Sequence, residues 1–209
     1  SLEQIMLTDM SDDGLTDIVR VRNGEICYWP NLGYGRFGAK VTMDNSPWFD
    51  HPDQFNPAYV QLSDVSGTGA ADVVYLGKNR FRAWFNLSGN GCSPVQEIEP
   101  FPTMEQPNNL TVTDFLGNGT GCLVWSSAWP GHSQAPMRYI DLMGGKKPFV
   151  MTQYKNNVGK EVAVAYHSST AYYLDDKKAG KPWITKLPFP VQCVSKVEMR
   201  DTVTNALFT

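Results

Sequence analysis

Hydrophobic positions in this chain come in short runs, many alternating with polar residues, and turn-forming residues separate them. Alternation with period two is the mark of a half-buried strand. Three apolar stubs, Ile5–Leu7, Val60–Leu62 and Leu110–Val112, are each followed by a polar loop and then by a second β-rich run. In the first unit that run is Asp17–Arg22, and Asn23-Gly24 leads on to Glu25–Trp29, which predicts a hairpin with a two-residue type I′ turn. The second unit gives Asp72–Leu76, a turn at Lys78-Asn79 and Arg80–Phe85, with Phe81, Ala83 and Phe85 expected on a buried face and Arg80 and Arg82 on a solvated one. The third gives Cys122–Trp125, a loop at Pro130-Gly131 and Met137–Leu142. No stretch has a helical period.

Past Gly144-Gly145 the pattern changes. Phe149–Tyr154 and Glu161–Tyr166 flank Asn156–Gly159 as a hairpin, Thr170–Leu174 continues the meander, and Asp175–Lys178 with Gly180 forms a polar loop. Pro188 and Pro190 bar ladder pairing, and Val191–Val194 with Val197 resumes an extended run.

The polar loops repeat. Asp9-Met-Ser11-Asp-Asp13-Gly14-Leu-Thr-Asp17 is matched by Asp64-Val-Ser66-Gly-Thr68-Gly69-Ala-Ala-Asp72, at an offset of 55 (64 − 9). A third copy, beginning at Asp114 after a further 50 residues (114 − 64), keeps Asn118 and Gly119 and ends on Cys122. The offset of 55 also carries Trp29 onto Trp84 and Asn31 onto Asn86. One repeat of this size cannot bury its own apolar face and must stack on its neighbours. The fold class predicted is therefore all-β: a partial β-propeller of about three blades, then a β-meander. Residues 1–145 hold the blades, near 1–50, 55–105 and 106–145, and 146–209 form a strand segment. Three repeats fall short of the roughly four to eight blades that close a propeller, so the sequence reads as part of a longer chain.

Oxygen side chains at odd positions around a glycine turn suit a calcium ion. Asp9, Ser11, Asp13 and Asp17 are thus the candidate metal ligands; the alternative is an Asx-rich turn held by hydrogen bonds. No carboxylate stands at the twelfth position, so the loop is not an EF-hand. Gly33-Tyr-Gly35-Arg-Phe-Gly38 matches a nucleotide-binding fingerprint in letters, but a strand-like run follows where a helix is needed, so it reads as a turn.

Four cysteines, Cys27, Cys92, Cys122 and Cys193, share neither a metal-binding spacing nor a repeat position and read as unpaired thiols. His51, His132 and His167 stand far apart, and no nucleophile elbow or metalloprotease motif is present, so no catalytic residue and no required cofactor is assigned. With 18 basic and 21 acidic residues the net charge of −3 creates no field for nucleic acid, and no apolar run reaches the length of a spanning helix.

The run from Asp13 through Gly38 closely resembles the B component of bacterial insecticidal toxin complexes (Tc toxins), and Leu62–Gly69, Tyr139–Pro148 and Gly180–Val191 extend the likeness over nearly the whole chain. The acidic loops also resemble the generic FG-GAP/VCBS propeller repeat. The toxin resemblance implies a non-enzymatic, secreted scaffold. In that family the propeller caps a shell of Rhs/YD-type repeats built with the C component, docks on the A-component channel and gates release of the enclosed toxic enzyme. The segment after Gly145 corresponds to the part leading toward the shell. The implied partners are the C and A components, with no nucleic acid and no direct membrane insertion. An integrin-like extracellular propeller that binds proteins, with calcium in its loops, is the alternative reading.

Overall fold

The computed structural model describes residues 2–77, 80–98, 110–126, 131 and 133–209. The expected turn at Lys78-Asn79, Pro130 of the third loop, and His132 lie outside the described residues. The chain is all-β, with four antiparallel sheets. The first contains β1 (Glu3–Thr8), β2 (Asp17–Arg22), β3 (Glu25–Trp29) and β4 (Val41–Thr42), neighbours in sequence and in space. The second repeats that meander with β5 (Val60–Ser63), β6 (Asp72–Leu76), β7 (Phe81–Trp84) and β8 (Gln96–Ile98). The third has β9 (Leu110–Thr113), β10 (Cys122–Ser126) and β11 (Met137–Asp141). β12 (Gln153–Lys155), β13 (Lys160–Ser168), β14 (Gln192–Asp201) and β15 (Leu207–Phe208) form the fourth, with one helix, α1 (Ser169–Lys178), between β13 and β14.

The chain divides into two compact units. One holds residues 1–113 and 121–142; the other holds 114–120 and 143–209. The third acidic loop thus belongs with the second unit, while the strands on either side of it belong to the first.

In the first unit the core lies between the first two sheets. Val19, Val21, Ile26 and Tyr28 come from one sheet, and Val60, Val73, Tyr75 and Trp84 from the next. Phe49 and Phe55, from the connection between them, are buried in this core, and Phe49 stacks on Phe55 at 5.5 Å and meets Trp84 edge-on at 5.5 Å. Each fully buried aromatic or branched side chain contributes about 1.5–3 kcal/mol, so this cluster dominates the unit's stability. β7 departs from the expected alternation. All four of its residues are buried, and Arg82 lies inside, its guanidinium 5.1 Å from the Tyr75 ring and 3.9 Å from an Asp50 carboxylate oxygen. A planar cation can be stacked against aromatic faces, which lets a charge point inward in a strand covered on both sides.

The Asn23-Gly24 turn joins β2 to β3 as expected, but only Gly24 has a positive φ, of 83°, so the turn is not type I′. The reason is tertiary. Asn23 Oδ1 accepts the Phe49 amide at 2.7 Å and Asn23 Nδ2 donates to the Asp50 carbonyl at 2.7 Å, tying the turn to the aromatic connection.

In the second unit, direct cross-strand pairing sets Tyr154, Val162, Met199 and Phe208 in one row and Lys155, Glu161, Arg200 and Leu207 in the next. The hairpin at Asn156–Gly159 forms as expected. The meander does not continue through Thr170–Leu174, and Asp175–Lys178 is not a loop: together these residues form α1. Ser168 caps the helix, its Oγ accepting the Ala171 amide at 3.2 Å, and Lys177 and Lys178 sit in the last turn, where cations complement the helix dipole. Cap and charge outweigh the strand preference of Thr170, Tyr172 and Tyr173.

Candidate functional site

The acidic loops are the repeated chemical feature, and the structure gives each carboxylate a specific task. Asp9 and Asp64 close the tight turn. Asp9 Oδ1 and Oδ2 accept the amides of Asp12 and Gly14, each at 2.8 Å. Asp64 accepts those of Thr68 and Gly69, each at 2.9 Å. Asp114 does the same for Asn118 at 3.0 Å and Gly119 at 2.8 Å. Glycine is needed at the fifth residue after each aspartate because φ there is positive: 81° at Gly14, 109° at Gly69 and 78° at Gly119.

Asp17 and Asp72 have another role. Both are fully buried at the start of the second strand of their sheets. Asp17 Oδ2 accepts the amides of Met10 at 2.9 Å and Ser11 at 3.3 Å, while Oδ1 accepts that of Asn31 at 2.8 Å. Asp72 repeats this with Val65 and Ser66, each at 3.0 Å, and Asn86 at 2.8 Å. One carboxylate thereby ties the start of its loop to the residue leaving the third strand. Three N–H donors compensate the burial of a charge that would otherwise be expelled. Burial still dominates at Asp72, pushing its carboxyl above the ordinary carboxylate range against the pull of the amides.

Cys122 replaces the aspartate in the third repeat. Since Cys122 pairs with Asp141, the residue corresponding to Asn31 and Asn86 is Leu142, whose amide donates to the Gly121 carbonyl at 3.3 Å. A thiol and a leucine cannot build the carboxylate tie. That loop is held instead within the second unit: Gln192 Nε2 donates to the Asn118 carbonyl at 2.6 Å, and a Cβ on Gly117 would meet the Thr170 side chain at 2.7 Å.

The loops also staple successive sheets. The Asp9 carbonyl accepts the Ala71 amide at 2.8 Å, and the Val65 carbonyl accepts the Gly121 amide at 2.9 Å. Asn86 Nδ2 bridges the Ala71 and Met10 carbonyls, each at 3.0 Å.

In this geometry the three carboxylates of the expected calcium set Asp9, Ser11, Asp13 and Asp17 are engaged by backbone amides. The carboxylate oxygens of Asp9 and Asp17 are turned to backbone amides, and Asp13 Oδ1 accepts the Leu15 amide at 2.8 Å. Ser11 Oγ is buried with no partner, but one hydroxyl is not a coordination shell. Among the described residues no three His, Cys, Asp or Glu side chains come together as a metal would require. Sequence reasoning noticed that Asn31 and Asn86 are equivalent but missed their task; the shared spacing of 14 from Asp17 and Asp72 was the available signal.

Gly33–Gly38 forms a turn, with Leu32 and Arg36 amides bonded to the Arg36 and Gly33 carbonyls and no helix following. Cys27, Cys92 and Cys122 are buried and Cys193 is half-buried, none of them in a disulfide. His51 is exposed beside Asp53, and His167 packs edge-on to Tyr172.

A family model described as the insecticide toxin TcdB middle/N-terminal region matches residues 86–209. The chain belongs to the insecticide toxin TcdB family. Solved relatives carry the likeness over the first acidic loop as well. A crystal structure of TcdB2-TccC3 without its hypervariable C-terminal region superposes with a TM-score of 0.82 at 29% identity, over 97% of this chain and 10% of that one. A Photorhabdus luminescens Tc holotoxin pore gives 0.82 at 30% identity, over 96% and 9%. This TcdB-family chain thus spans about a tenth of the length of the solved chains it matches. An Agrocybe aegerita lectin shares the fold alone, with a TM-score of 0.51 at 18% identity over 78% of this chain and 43% of that one. No curated protein matches the chain.

Proposed function

We propose that this TcdB-family chain is a non-enzymatic scaffold region of a toxin-complex B component. Its acidic-loop sheets serve as β-propeller blades. The propeller docks on the A-component channel and gates passage of a toxic enzyme. The segment from residue 146 onward leads into the Rhs-type shell shared with the C component, and the assembly works outside the bacterium. The observation that carries this reading is the superposition of nearly the whole chain on the TcdB2-TccC3 structure. Support also comes from the loop chemistry. Among the described residues, the loop carboxylates are committed to backbone amides, which rigidifies the sheets instead of presenting a general acid or base.

Reconstitution tests it. The B component carrying this region is assembled with the C component, and its affinity for A-component pentamers is measured with and without the acidic-loop sheets. The proposal requires loss of A-component binding when the sheets are removed, with C-component assembly retained. Unchanged binding to A, or hydrolytic or transferase turnover by the purified chain that a point substitution abolishes, contradicts it.

A further inference from the structure

The second unit holds a cavity of its own. Residues 181–191, on the way from α1 to β14, are tied to the helix at both ends. The Lys181 amide donates to the Asp176 carbonyl at 2.8 Å, and Trp183 Nε1 to an Asp176 carboxylate oxygen at 2.6 Å. At the other end the Ser169 amide donates to the Val191 carbonyl at 2.8 Å, and the Val191 amide to Ser169 Oγ at 2.9 Å. Pro188 and Pro190 have no amide to give to a ladder, so the segment between the ties stays out of the sheet. A cavity of about 340 Å³ lies between it and the helix, at the small end of the range for ligand sites.

Rings form its walls. Tyr173, Trp183 and Phe189 line it together with Pro188 and Pro190, and Lys186 brings a charge. The rings are held in place in advance: Trp183 meets Tyr173 edge-on at 5.8 Å and is anchored by Asp176, so binding would cost little ordering. Phe189 is 66% and Leu187 48% exposed, apolar surface left to solvent. The surroundings are basic. Between 177 and 197 the charged residues are Lys177, Lys178, Lys181, Lys186 and Lys196, with no carboxylate among them. Among the described residues, the lysine ion pairs of this unit join Lys155 to Glu161 and Lys196 to Glu198, and none involves the four lysines of 177–186.

We propose that the cavity between α1 and residues 181–191 is a binding site for an acidic peptide segment that inserts one aromatic side chain. The aromatic residue packs between the Tyr173, Trp183 and Phe189 rings and the two prolines, which favour a flat apolar group. Carboxylates on either side of it meet Lys186 at the wall and the lysines of 177–181 beyond, an apolar centre with a charged rim of one sign. The same lysines would draw in an anionic lipid surface, but a helix that lies in a membrane interface carries its own apolar face. α1 is not amphipathic, and the apolar groups beside it wall a recess. The site goes beyond the scaffold role and does not depend on it.

The test is fluorescence anisotropy of the full-length protein carrying this region with a fluorescein-labelled peptide, one phenylalanine flanked on each side by two glutamates. Binding should saturate and weaken as salt is raised. Lys186→Glu should weaken it at least about fivefold, and Lys186→Arg should leave it near wild type. Phe189→Ser should weaken it about tenfold through lost apolar contact. Both side chains are exposed, so the fold should be intact in each variant. Peptides with serine in place of the phenylalanine, or lysines in place of the glutamates, should bind at least about tenfold more weakly. Absence of saturable binding overturns the proposal, as does equal binding of either control peptide or indifference to Lys186→Glu. Co-sedimentation with phosphatidylserine vesicles that Lys186→Glu abolishes, without peptide binding, overturns it in favour of a membrane surface. Binding of the same preparations to the C component reads the scaffold role separately.

Discussion

Asp72 and Asn86 are bound twice over. The Asp72 carboxylate accepts the Asn86 amide, and the Asn86 side chain donates to the carbonyl of Ala71, the residue before Asp72. The pair closes the loop end of the second sheet, and the same Asn86 amide group reaches the Met10 carbonyl of the loop before it. Intrasheet closure and sheet-to-sheet stapling thus share one side chain. That economy explains why aspartate and asparagine recur together in the first two repeats and are absent together in the third.

Close stacking leaves no room at Gly121. A Cβ there would meet the Val65 Cα at 2.9 Å and the Val65 carbonyl oxygen at 3.2 Å, backbone atoms that cannot swing aside. Gly121→Ala should therefore cost about 2 kcal/mol by overpacking, measured by urea unfolding. Wild-type stability would mean the second and third repeats are not pressed together there.

The thiols should divide by burial. Burial first, and then the Asp72 charge, pushes the Cys92 thiol up to about 11, so it is protonated and shielded at neutral pH. Cys27 and Cys122 are equally enclosed, whereas Cys193 is half-buried. Iodoacetamide at neutral pH should label Cys193 in the folded chain and the other three only in denaturant, as read by mass spectrometry. Rapid labelling of Cys92 without denaturant would contradict this packing.

How much of this was legible in advance depends on which forces fix each element. The strands and the three loops were readable because the carboxylates, glycines and apolar stubs recur at fixed offsets, a local pattern. α1 was not, because Thr170, Tyr172 and Tyr173 favour strands, and its cap, Ser168, ends what looks like a continuous extended run. A charge alone suggests solvent for Arg82; the Tyr75 and Trp84 rings it meets belong to its own hairpin, but the covering of that face by the first sheet and by the connection that brings Asp50 to it is not legible in sequence. Carboxylates around a glycine turn suit a cation, which makes Asp17 a candidate metal ligand in sequence. Its burial and its three amide partners, one of them 14 residues away, exist only once the sheet has formed.

Calcium should accordingly leave the chain unchanged. With the Asp9 and Asp17 oxygens turned to amides, millimolar calcium should not shift the melting temperature. A rise in that temperature which Asp13→Asn abolishes would restore the metal reading of the first loop.

The pH dependence linked to Asp72 has a definite sign. Burial raises its folded-state pKa above the ordinary 3.8, outweighing the amides of Asn86, Ser66 and Val65. The folded chain then holds the proton to higher pH than the unfolded chain. Stability from this group is fully present below about pH 4 and is lost as pH rises through the raised value. The stability difference between wild type and Asp72→Asn, followed by urea unfolding across acidic pH, should shrink as pH rises above about 4 and then level off. A difference that grows over that range would show that the amides depress the pKa instead.

The central claim is that the acidic loops are structural ties, and unfolding of alanine variants at neutral pH tests it most directly. Asp72→Ala strips three amides of their acceptor in a closed site and should lose at least about 3 kcal/mol. Asp17→Ala, with the same three-amide arrangement, should lose a similar amount. Asp13→Ala, whose side chain is exposed and holds one local amide, should stay within about 0.5 kcal/mol. Equal, small losses at all three positions, or a loss at Asp13 as large as at Asp72, would contradict the account.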